Sequence, residues 1–131
     1  MTKNINKPNG IGLGRIIKAS QCSVKGFIAA YNHESAFRQE LLLTAIMLPF
    51  SFVIANDSIQ LALLIVTLLL VLLVEILNSA IEAVVDRISL EQNPLSGRAK
   101  DLGSAAVFLA LTICSLIWLA VIYQNYFSLS S

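Results

Sequence analysis

"VEILNSAIEAVVDR", residues 74–87, decides how this chain is read. It follows "IQLALLIVTLLLVLLV" with no turn signal between, so one apolar helix runs straight into Glu75, Glu82 and Asp86. With Glu75 set at 0° and about 100° per residue, Asn78 falls near −60°, Ser79 near +40°, Glu82 near −20° and Asp86 near +20°. These polar residues share one face over about 16 Å of helix. Acids that only mark a helix leaving a membrane would account for Asp86. They do not account for Glu75, which has apolar residues 71–74 before it and Ile76 and Leu77 after it. Ionisable groups held inside a membrane are costly and mark functional sites.

The composition around that stretch is that of a membrane protein. The 131 residues are 56% hydrophobic and 13% charged, against roughly 45–50% and 25% in soluble domains. Between Glu40 and Glu75 only Asp57 is charged, and nothing after Asp101 is. Uncharged runs of that length are read as membrane spans. The expected fold class is therefore all-α, one membrane domain over 1–131. A flexible lead (1–12) and an amphipathic surface helix (13–32) precede transmembrane helices at 35–55, 59–88 and 98–123.

On the surface helix, Leu13, Ile16, Ile17, Ser20, Val24, Phe27, Ile28 and Tyr31 fall within about 120° of arc, with Arg15, Lys18 and Lys25 opposite. An apolar face backed by a basic one suits the lipid headgroup layer. Pro49 is expected to bend the first span. Asp57 or Ser58 is expected to cap the second helix and Ser96 the third. Gly103, Ser104, Ala105 and Ala106 are small enough for close helix approach. Arg38, one turn after Glu34, is spaced to pair with it.

Lys3, Lys7, Arg15, Lys18, Lys25 and Arg38 lie at or before the start of the first span, and Arg87, Arg98 and Lys100 between the second and third. The 54–58 link and the tail after Tyr123 carry no Lys or Arg. The positive-inside rule then predicts a multi-pass protein with a cytoplasmic N-terminus and the C-terminus outside. No cleavable signal peptide is expected from the polar first nine residues. Cys22 and Cys114 should not pair, and neither has metal-site spacing. His33 has no second histidine and reads as an interfacial residue. "GIGLGR" (10–15) lacks the Gly-Lys-Ser/Thr ending of a phosphate-binding loop. No basic-aromatic nucleic-acid motif is visible.

The polar face suggests a specific chemistry. A carboxylate at the headgroup boundary, Glu75, suits removal of a proton from a hydroxyl. Glu82, about 10 Å closer to the cytosol, and Glu34 suit Mg²⁺, which takes carboxylates together with phosphate oxygens. Lys100 and Arg98 supply cations for phosphates. A lipid-facing base beside a cluster of Mg²⁺ and Lys matches phosphoryl transfer from a nucleotide to a lipid alcohol.

"ESAFRQE" (34–40), "EILNSAIEAVVDR" (75–87), "SGRAKDLGSAA" (96–106) and "RIIKA" (15–19) together resemble the prokaryotic integral-membrane diacylglycerol kinase family, in order and spacing. The resemblance runs from Arg15 to Trp118. It implies a homotrimer in the bacterial inner membrane, with a periplasmic C-terminus and active sites between neighbouring subunits. It further implies that ATP and Mg²⁺ are used to convert diacylglycerol to phosphatidic acid. By motif position Glu75 resembles the general base, with Asn78 and Lys100 in the catalytic cluster and Glu34 and Glu82 as metal-bridging carboxylates. ATP contacts implied by position are Arg15, Cys22, Glu34, Glu82, Glu91, Gln92, Asn93, Lys100 and Asp101. Cys22 stands where relatives carry an aromatic residue, and "EQNPL" (91–95) keeps only its leading acid and final Leu. The implied lipid-site residues are Arg15, Ala19, Ser23, Ala36, Phe37, Arg38, Gln39, Glu40, Glu75, Ser104 and Trp118. Undecaprenol, another primary lipid alcohol, is an alternative substrate within the family. A proton-coupled multidrug transporter is the alternative outside it.

Overall fold

The computed structural model describes residues 11–128. Residues 1–10 of the expected lead, with the start of the glycine-rich stretch, lie outside the described residues. Four helices follow in order: α1 (Leu13–His33), α2 (Ser35–Ile54), α3 (Ser58–Ile88) and α4 (Pro94–Ile122). A π-helical turn, Tyr123–Phe127, extends α4. Among the described residues there is no strand. Helix α2, helix α3 and the run Pro94–Phe127 are each long and apolar enough to cross a membrane.

Helix α1 starts after Gly12, whose φ of 62° lies in the left-handed region that glycine adopts without steric cost. Its apolar arc is uncovered: Leu13, Ile16, Ile17, Val24, Phe27, Ile28 and Tyr31 are all exposed, and only Ala30 is buried. That is the pattern of a helix whose apolar face is left for lipid.

A single extended residue, Glu34 (φ −111°, ψ 110°), joins α1 to α2. Its N–H closes α1 on Ala30 O at 2.9 Å, and its carbonyl opens α2 by accepting from Arg38 N–H at 3.3 Å. The Arg38 guanidinium donates to the carbonyls of Tyr31 (2.7 Å) and Asn32 (3.4 Å). It therefore serves the open carbonyls at the negative end of α1 in place of the Glu34 carboxylate that its spacing suggests.

Helix α2 continues unbroken through Pro49. Asp57 caps α3, its Oδ1 accepting from the N–H groups of Ile59 (2.8 Å) and Gln60 (2.9 Å). The 31 residues of α3 extend about 46 Å, past a hydrocarbon core of about 30 Å. The cap of α4 is Asn93, accepting from Leu95 N–H at 2.8 Å, rather than Ser96. Helix α4 accordingly begins at Pro94, ahead of the expected 98, because proline's preset φ and missing N–H suit the first turn of a helix.

Helix α3 packs mainly on α4 and secondly on α2. Leu64, Leu68, Trp118 and Val121 form the apolar core, flanked by Met47, Ile54 and Cys114. The Trp118 indole donates to Leu64 O at 3.3 Å. Beyond it the π turn carries Asn125 back over the α2–α3 link. Its amide donates to Ile54 O (2.7 Å) and Gln60 Oε1 (2.8 Å), while Gln60 Nε2 donates to Asn125 Oδ1 (3.2 Å) and Gln60 Oε1 also accepts from Asn56 N–H (2.9 Å). The Tyr126 hydroxyl reaches Val53 O at 3.4 Å. This clasp closes one end of the bundle, and the acids of α3 occupy the other.

Candidate active site

Glu75 is 4% exposed, deep on the α3 face that turns toward its neighbours. The carboxylates of Glu34, Glu82 and Glu40 lie near enough for their charges to act on it or it on them. These acids, from α2, α3 and the α1–α2 link, thus lie toward the same end of the bundle, without three of them gathering as one compact group among the described residues. Asn78, also buried, donates from Nδ2 to Glu82 Oε1 at 3.2 Å. Its Oδ1 has no partner, nor do Glu40 Oε2 and Ser79 Oγ, all three shut off from solvent. Buried polar atoms are nearly always satisfied, so these three unpartnered atoms on α2 and α3 stand out.

Helix α4 approaches closely here because Gly103 has no side chain. A Cβ at that position would overlap the Asn78 carboxamide. One turn outward, Lys100 Nζ and Asp86 Oδ1 form an ion pair at 2.7 Å, half-exposed on both sides. The Lys100–Asp86 pair lines a groove of about 560 Å³ under the α3–α4 loop, together with Glu91, Gln92, Asn93 and Ser96. A second groove of about 370 Å³ lies between α1 and α3, with Glu34 and Ser79 on its wall.

The structure therefore sets Glu34, Glu40, Glu75, Asn78 and Glu82 toward one end of the bundle, and Glu91, Gln92, Asn93 and Lys100 around the adjoining groove. Asp101 and Ser104 are exposed on α4, and Ala36, Arg38 and Gln39 on α2. Phe37 is 3% exposed and Trp118 4%, both packed within the chain. Trp118 sits level with Leu64, roughly 16 Å along α3 from Glu75. Arg15, Ala19, Cys22 and Ser23 form one exposed stripe of α1. Arg15 is roughly 28 Å up α1 from Glu34, so a single chain does not bring it to the acids. Two members were missed as site residues by sequence reasoning. Asp86 reads in sequence as a residue marking the helix exit although the helical wheel puts it on the Glu75 face, and Ser79 shares that face without a role assigned to it.

Fold and site together define an α-helical, multi-pass membrane protein with carboxylates where α3 meets the elbow and an acid–base-lined groove beyond them. Residues 21–122 match the family described as prokaryotic diacylglycerol kinase. The chain is 50% identical over 111 residues to a diacylglycerol kinase of Pseudomonas aeruginosa, covering 85% of this chain and 90% of that one. It is 47% identical over 118 residues to the diacylglycerol kinase of Escherichia coli K12 (90% and 97%), and 44% over 112 residues to that of Haemophilus influenzae (86% and 95%). The chain belongs to the prokaryotic diacylglycerol kinase family and is a membrane enzyme, which displaces the transporter reading.

Proposed function

We propose that this enzyme transfers the γ-phosphoryl group of ATP to the free hydroxyl of 1,2-diacylglycerol, giving phosphatidic acid and ADP. The observation that carries the reading is the burial of Glu75 among Glu34, Glu40 and Glu82, next to a groove that contains Lys100. Glu75 accepts the proton of the lipid hydroxyl as its oxygen attacks phosphorus, and ADP departs on the far side. Asn78, tied to Glu82, keeps that carboxylate in place. Lys100 leaves Asp86 to neutralise charge on the phosphates. Glu91, Gln92 and Asn93 line the same groove and suit the nucleotide, with Asp101 on the adjoining turn.

Mg²⁺ would be held by Glu34 and Glu82. Among the described residues no three His, Cys, Asp or Glu side chains gather as a complete metal site. That donor set nevertheless fits Mg²⁺, which takes one or two carboxylates and completes its shell with phosphate oxygens and water. When bound, the ion would neutralise phosphate charge.

The lipid would approach from the side of Ala36, Gln39, Glu40 and Ser104. Arg15, at the far end of α1, stands too far along its helix to serve the acids of its own chain. The orphan atoms of Glu40, Asn78 and Ser79 add to the same inference: the working form is a homotrimer whose sites lie between subunits, with α1 reaching a neighbour. The basic residues support a cytoplasmic side for α1 and the α3–α4 loop in the inner membrane, with the Asn125 clasp outside.

The test is phosphatidic acid formation by the purified protein in mixed micelles with diacylglycerol, ATP and Mg²⁺, beside Glu75→Gln. Loss of at least a hundredfold in the variant is expected, within the range of removing a general base. Turnover of undecaprenol but not of diacylglycerol would change the substrate and keep the mechanism. Turnover of neither by folded protein would overturn the reading.

A further inference from the structure

Several hydroxyls in the helices of this chain return to their own backbone, among them those of the two buried hydroxyl residues, Ser51 and Thr67. Ser51 Oγ donates to Leu48 O at 2.6 Å and Thr67 Oγ1 to Leu64 O at 2.9 Å. Ser20, Ser23, Thr112 and Ser115 do the same with the carbonyl four residues back. Ser79 is different. Its Oγ is shut off from solvent and has no hydrogen-bond partner, although a carbonyl of its own helix is always within reach of a rotamer change. It lies four residues after Glu75 and three before Glu82, between the proposed base and the proposed metal ligand.

The α1–α3 groove that Ser79 borders has a consistent shape. Its walls include Gly26, Ala30, Ala80 and Ala83, small enough to admit an acyl-ester segment, and its polar residues are His33, Glu34 and Ser79. A slot of about 370 Å³ with apolar walls and a few polar residues fits the glycerol end of a lipid.

We propose that the Ser79 hydroxyl orients the lipid substrate by donating a hydrogen bond to an ester carbonyl of the diacylglycerol whose glycerol end occupies the α1–α3 groove. This rests on the lipid-kinase reading of the same site and adds a specificity-determining contact to it. Ser79 bonds an acceptor that an ester lipid carries and a diether or polyprenyl alcohol lacks. It thereby turns the glycerol so that the free hydroxyl faces Glu75.

The experiment compares kcat/KM for dioctanoylglycerol and its diether analogue dioctylglycerol, in the wild type and in Ser79→Ala, Ser79→Thr and Ser115→Ala. A neutral hydrogen bond is worth about 0.5–1.5 kcal/mol, so its loss should lower the diester-to-diether ratio about two- to tenfold in Ser79→Ala. Ser79→Thr keeps the donor and should retain most of the ratio. Ser115→Ala, which loses only a backbone-directed hydroxyl, should leave the ratio at the wild-type value. An unchanged ratio in Ser79→Ala, whether both substrates slow equally or neither does, overturns the proposal. Glu75→Gln separates the two levels: full activity there defeats the kinase-site reading, whereas an inactive Glu75→Gln with an unchanged Ser79→Ala ratio defeats only the Ser79 contact.

Discussion

Gly103 is the residue on which the site's geometry most directly depends. The Asn78 carboxamide fills the space that a Cβ would need, and Asn78 in turn holds Glu82. Overpacking of this kind costs about 1–3 kcal/mol and moves neighbours. Gly103→Val should lower the unfolding temperature in detergent and reduce phosphatidic acid formation more than stability alone explains, because the displaced amide releases Glu82. A thermal melt and a turnover assay on one preparation check this; an unchanged melt would show that α4 simply shifts. At this scale the sequence was legible where a polar residue interrupts an apolar run, as at Glu75 and Asn78. It was not legible for apolar residues. In a membrane span Phe37 and Trp118 have the same hydropathy whether they face lipid or a neighbouring helix, and the structure turns both inward. Their implied place in the lipid site rests on resemblance, which carries position but not orientation.

The helices were readable to the extent that their signals are local. The 3.6-residue period delineated α1, and the Asp57 cap and unbroken apolar run delineated α3. The start of α4 was misplaced because Pro94 was weighed as a loop residue when, behind Asn93, it is a first-turn residue. Arg38 was misassigned because the open end of α1 competes with Glu34 for the same guanidinium, and only the angle between the two helices decides that contest. The Asn93 cap leads to a prediction. The cap fixes the loop that lines the larger groove, and a lost N-cap costs about 1 kcal/mol. Asn93→Ala should raise KM for ATP several-fold while leaving kcat at saturating ATP and KM for lipid nearly as they are. Steady-state kinetics varying each substrate in turn decides it, and a change confined to the lipid KM would move the nucleotide elsewhere.

Across the whole molecule, chemistry and closure are at opposite ends. The clasp of Asn125, Gln60, Asn56 and Ile54 is set about 22 Å along α3 from Glu75. It depends on a π turn, which adds a residue to the helical repeat and redirects Asn125; no local sequence signal announced that turn. Interhelical hydrogen bonds in membranes average about 0.6 kcal/mol each, so Asn125→Ala should lower the unfolding temperature by a few degrees. Turnover at low temperature should be retained because the acids keep their places. Equal loss of activity and stability in a paired melt and assay would show that the two ends communicate.

The elbow at Glu34 has a mechanical consequence. One extended residue joins a helix with an uncovered apolar face to one long and apolar enough to cross a membrane, and the same residue offers the carboxylate proposed for the cation. A cation held by that carboxylate would stiffen the joint. Thermodynamic reciprocity then requires the converse: whatever tilts α1, such as local curvature or a crowd of anionic headgroups, changes the grip by the same free energy. With a cation held there, the joint would link that grip to the condition of the surrounding surface.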